Sequence, residues 1–142
     1  MLSPIELESR FEVYSEQYVL SIEVEAKLVI DMAKTKIYPA ALQYLSELSM
    51  TSGGMADIGI ELDTSVATAI AAESNAMIAA VGRLSEALPK HDFSSTEEHM
   101  QYCATTLCPL MEEVRSHADT LEAEVADEFW PLPKYQEMLF IK

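Results

Sequence analysis

From Phe11 to Leu48, small or apolar residues recur at Phe11, Tyr14, Tyr18, Ile22, Ala26, Val29, Ala33, Ile37, Ala40, Tyr44 and Leu48. Every step is three or four residues, the period of one face of an α-helix. No glycine interrupts the stretch, and Pro39 is its only breaker. A helix cannot bury a stripe of that length on itself, so the chain must supply partner helices. The stretch therefore reads as the spine of a helical bundle.

The start of this helix is also legible. Ser3 suits the N-cap, Pro4 the first helical position, and Glu6 completes a capping box. One helix is expected over about 4–50, kinked near Thr35 to Pro39, where the proline ring removes a donor and meets the Thr35 carbonyl. Thr51-Ser52-Gly53-Gly54 is the expected stop. After a connector, Asp63-Thr64-Ser65 offers caps for a second, alanine-rich helix over about 64–88, closed by Pro89. Its stripe is Val66, Ile70, Met77, Val81, Leu84 and Leu88, broken by Glu73.

Ser94-Ser95-Thr96-Glu97 opens a third helix over about 95–128. Met100, Ala104, Leu107, Met111, Val114, Ala118, Leu121 and Val125 alternate steps of four and three, the spacing of a coiled-coil-like seam. Pro109 predicts a second kink. The fold class expected is all-α: an up-down-up antiparallel helical bundle over 1–128, with long, Pro-kinked helices. Residues 129–142 form an extended aromatic C-terminal tail. Pro131 and Pro133 force extended backbone there, and a terminal segment that holds the sole tryptophan is expected to dock on something.

Scarce glycine and abundant Ala, Glu, Leu and Met support helix over sheet. The 142 residues suit one domain. Net charge is −15, so neither nucleic acid nor an anionic membrane is an expected partner. The N-terminus has no basic region followed by an apolar one, and no apolar run approaches the ~20 residues of a membrane span. Cys103 and Cys108 stand about 140° apart on a regular helix, so they cannot bridge. Reduced thiols and a cytoplasmic location follow as expectations.

Motifs for chemistry are sparse. His99 and Cys103, four apart, are a candidate pair of metal ligands, but a structural zinc site needs about four. No Glu-x-x-His accompanies the carboxylates, so Glu23, Glu25, Glu73, Glu112 and Glu113 read as a solvated face rather than a di-iron site. Glu73, set in an apolar stripe, is the exception, with Lys27, Lys34 or Arg115 as candidate partners. Gly53-Gly54 lacks the Lys-Ser/Thr of a phosphate loop, and no nucleophile motif is present. The chain in isolation reads as non-catalytic, with no cofactor of its own.

Several runs nevertheless resemble a known family. Glu8-Ser9-Arg10-Phe11-Glu12-Val13-Tyr14, Glu16-Gln17-Tyr18, Ile22-Glu23-Val24-Glu25-Ala26, and Met32-Ala33-Lys34 through Ile37-Tyr38-Pro39-Ala40 look like the C-terminal region of type III glutamine synthetases. The closing run from Phe129 to Phe140 is similar to the end of those chains. The resemblance implies a non-catalytic C-terminal helical domain of a much larger enzyme, one that ligates ammonia to glutamate using ATP and a divalent metal such as Mg and assembles in stacked hexameric rings. It carries no catalytic residue onto this chain.

The partners so implied are the catalytic portion of the parent chain or neighbouring subunits, in a homo-oligomer. Trp130, Leu132, Tyr135, Leu139 and Phe140 are the expected interface anchors. Arg10, Glu23 and Glu25, which core packing does not explain, are expected to face the rest of the enzyme. The alternative from a different class is a stand-alone acidic helical module that binds a basic protein.

Overall fold

The computed structural model describes residues 3–89 and 92–133. Ser3 caps the first helix, α1 (Pro4–Met32): its hydroxyl accepts the Glu6 amide, and the Glu6 carboxylate accepts the Ser3 amide at 2.9 Å. A π-helical turn, Ala33–Ile37, joins α1 to α2 (Tyr38–Asp57) without a break. Next come α3 (Ser65–Ala87), α4 (Thr96–Tyr102), a second π-helical turn (Cys103–Leu107), α5 (Cys108–Glu124) and a 3-10 turn (Asp127–Phe129). Among the described residues there are no strands. Joined through their π turns, these elements amount to three long helices.

The two interior prolines explain both π turns. In a regular helix the Pro39 ring would crowd the Thr35 carbonyl and offer it no hydrogen bond. Instead the Tyr38 amide reaches back five residues to the Ala33 carbonyl. The Cys108 amide does the same to Cys103, just ahead of Pro109. Thr35 and Thr105, each four residues before its proline, turn their hydroxyls back to the Asp31 and Gln101 carbonyls at 2.7 Å. The expected kinks are thus wide turns set one step before each proline. A single π turn inside an α-helix inserts one residue and so rotates the next helical segment about the axis. Cys103, rather than Ala104 of the expected stripe, is therefore fully buried.

The first helix also ends later than expected. Gly53 and Gly54 lie inside α2, because neither needs a positive φ. Gly59 does, at φ +83°. Its amide bonds Ala56 and the Ile60 amide bonds Met55, the paired bonds that close a helix on a left-handed residue. Across the connector, Asp63 accepts the Ser65 amide at 2.8 Å, and this bond lowers the Asp63 pKa. The third long helix is capped by Ser95, whose hydroxyl accepts the Glu98 amide, one residue later than the pattern read from Ser94.

Helix α3 supplies the centre of the core through Ile70, Met77, Ala80, Val81 and Leu84. Val19, Ala26, Ala33, Ile37 and Ala41 meet it from one side, and Leu107, Met111, Val114 and Leu121 from the other. By length and composition alone α3 is apolar enough to cross a membrane, although polar residues interrupt its apolar run. The expected stripe of the first helix is covered only from Tyr18 onward, with Tyr18, Ile22 and Val29 half-buried and Ala26 fully buried. Phe11 and Tyr14 remain exposed, so about three turns of α1 project beyond the core.

If the wide turn absorbs the proline, Pro39→Ala should change unfolding free energy by less than about 1 kcal/mol, not the ~3 kcal/mol of a proline forced into a regular helix. Urea unfolding of the two proteins measures it, and a gain near 3 kcal/mol would contradict absorption by the turn.

Candidate functional site

The polar side chains that the sequence singled out are mostly used to join helices. His99 Nε2 lies 3.0 Å from Glu23 Oε1, linking α4 to α1. His117 Nδ1 lies 2.7 Å from Glu73 Oε2, linking α5 to α3. A carboxylate only accepts, so each imidazole nitrogen donates. Arg115 pairs with Glu25, and Arg83 with Glu113. Hence four of the five carboxylates read as a solvated face hold cross-helix partners, and only Glu112 stands exposed without one among the described residues. Glu73 meets His117 rather than a lysine or arginine. Glu23 and Glu25 serve the bundle itself, which leaves Arg10 as the exposed member of the set assigned to a partner.

The candidate ligand pair is divided in the same way. His99 faces Glu23 and stacks on the Phe93 ring at 4.3 Å between centroids, while Cys103 is fully buried. Among the described residues no group of three or more His, Cys, Asp or Glu side chains could hold a metal. Both cysteines are free. The π turn closes Cys108 onto Cys103, so the 140° separation of a regular helix does not apply. Both thiols lie near Tyr18. Burial first, then the two thiols, raises the Tyr18 pKa. Burial, then the Glu23 carboxylate, raises that of Cys103. A buried thiol held neutral is a packing group rather than a nucleophile.

Of the expected interface anchors, Trp130 and Leu132 are half-buried and pack against the core. With Leu28, Val29 and Val114 they line a groove of about 300 Å³ between α1 and α5. Phe129, beside them, meets the Tyr44 ring at 5.7 Å. Tyr135, Leu139 and Phe140 lie outside the described residues. A sequence signal for the cross-helix pairs did exist: Glu73 and His117 each sit beside an apolar stripe, where a charge needs a partner.

Residues 1–55, which span α1 and nearly all of α2, match the family described as "Glutamine synthetase C-terminal domain". The chain is 33% identical over 147 residues to a glutamine synthetase of Bacteroides fragilis (strain YCH46), covering 96% of this chain and 20% of the relative. It is 32% identical over 151 residues to the type-3 glutamine synthetase of Dictyostelium discoideum, covering 100% and 20%. A glutamine synthetase of Butyrivibrio fibrisolvens is 27% identical over 140 residues, covering 95% and 20%. The chain spans about a fifth of the length of these curated relatives. It thus resembles the C-terminal region of type III glutamine synthetases. The family match falls on the first long helix rather than on the tail.

Because Cys103 is enclosed and Cys108 is half-buried, a thiol reagent should modify Cys108 at least about tenfold faster in the folded protein. Mass spectrometry after timed alkylation reads the two rates. Equal rates would contradict the packing around Cys103.

Proposed function

We propose that this chain is a non-catalytic C-terminal helical domain, serving assembly or interface formation, of a type III glutamine synthetase whose whole enzyme ligates ammonia to glutamate using ATP. The observation that carries the reading is the match at about a third identity along nearly the entire chain to a fifth of such synthetases. The use of the polar residues agrees with it, since they bind helix to helix and leave no assembled reactive group among those described.

In this reading the three long helices form an up-down-up bundle. Two pairings support opposite directions for α3 and α5: Glu73 with His117, and Arg83 with Glu113. The first and third long helices then run the same way, as α1 lies beside α4, and α2 beside the 3-10 turn after α5. Trp130, Leu132, Tyr135, Leu139 and Phe140 anchor the domain to the catalytic portion of the parent or to a neighbouring subunit, within a cytoplasmic homo-oligomer. ATP and Mg belong to that catalytic portion.

The test is removal of the corresponding region from a full-length type III synthetase. The truncated enzyme should lose its native assembly in analytical ultracentrifugation while its catalytic portion still binds ATP. The 142-residue chain alone should show no ATP-dependent ligation. Unchanged assembly after truncation would overturn the reading and leave the acidic binding module as the better account.

A further inference from the structure

The face of α1 turned away from the core is apolar at its centre. Val13, Leu20, Val24 and Leu28 are 51%, 62%, 64% and 55% exposed. At about 100° per residue they share the side of the helix opposite Val19 and Ala26, which are buried. Their spacing, with Gln17 filling the gap between Val13 and Leu20, is that of a seam made for another helix.

One flank of this seam carries Glu12, Glu16 and Lys27, with Glu23 among them turned to His99. Glu16 lies toward the N-terminal end and Lys27 toward the C-terminal end. They are eleven residues apart, about three turns, and so stand on the same flank. Both are exposed, and neither is in an ion pair among the described residues. The midpoint of Glu16 and Lys27 falls between Ser21 and Ile22. The midpoints of Leu20 with Val24 and of Val13 with Leu28 fall within about two residues of it.

A surface whose apolar and charged positions mirror one another about a single point is complementary to its own copy under a two-fold rotation. We propose that two copies of this chain associate through this face of α1, antiparallel and centred near Ser21. Leu20 of each copy then lies against Val24 of the other, and Glu16 of each meets Lys27 of the other. In a parallel two-fold pair this flank of one copy lies across the interface from that of the other, so only the antiparallel arrangement joins Glu16 to Lys27, while apolar contact supplies the attraction. The inference rests on the α1 surface and not on the parent enzyme, so either can fail without the other.

Sedimentation velocity on the 142-residue chain tests it directly. The wild type should be a dimer at concentrations of about 10–100 µM, a range set by the micromolar affinities that small interfaces reach. Glu16→Lys and Lys27→Glu should each weaken dimerisation by about tenfold or more, because each turns two attractive contacts repulsive. The double variant E16K/K27E should recover the wild-type constant. The paired change Leu20→Asp and Val24→Asp should leave a monomer with unchanged helical circular dichroism, since both sites are exposed. A wild-type chain that stays monomeric, a dimer that survives the paired aspartates, or a charge swap without recovery would overturn the proposal.

Discussion

Two backbone hydrogen bonds hold the architecture together: Tyr38 to Ala33, and Cys108 to Cys103. Each lets a long helix pass an interior proline without ending. A proline in a regular helix interior costs about 3 kcal/mol, so without the wide turns both helices would tend to divide at their midpoints. The core depends on their not dividing. Ala26 and Ala41, on opposite sides of the first wide turn, are both fully buried in one cluster. At the second, Cys103 and Leu107 within the turn and Leu121 beyond it are buried in the same cluster.

Much of this was legible in the sequence, for physical reasons that can be named. The apolar spacing from Tyr18 to Leu48 reports a face that must be covered. Ser3 and Glu6 report a helix start because a short local geometry needs those side chains. The outcome at Pro39 and Pro109 was less legible, since periodicity assumes an unbroken register and a π turn changes it. A local signal was nevertheless present twice: Thr35-Lys36-Ile37-Tyr38-Pro39 and Thr105-Thr106-Leu107-Cys108-Pro109 share Thr-x-aliphatic-x-Pro. In both, the threonine turns back on its own helix and the aliphatic residue is buried. Gly53 and Gly54 misled for a related reason. Glycine ends a helix where a positive φ is required, and that position is Gly59.

The candidate site was legible in its residue types but not in its pairings. Which cation meets which carboxylate depends on how helices lie side by side, and periodicity on one helix does not fix that. Glu73 drew notice because a charge in an apolar stripe needs a partner, yet only packing places His117 against it. The same pairings reassign α1. Its inner polar residues, Glu23 and Glu25, bind α4 and α5. Its outer face keeps Val13, Leu20, Val24 and Leu28 in solvent, so the helix that matches a synthetase C-terminal domain is also the one with unspent apolar surface.

Backbone amide hydrogen exchange, resolved residue by residue by NMR, tests the central claim most directly. If both prolines are carried inside continuous helices, the Tyr38 and Cys108 amides are protected to the same degree as buried neighbours such as Ala41 and Met111. Exchange of either amide at the rate of an open chain, with protected helix on both sides, would mean that the helices break at their prolines and that the wide turns do not hold.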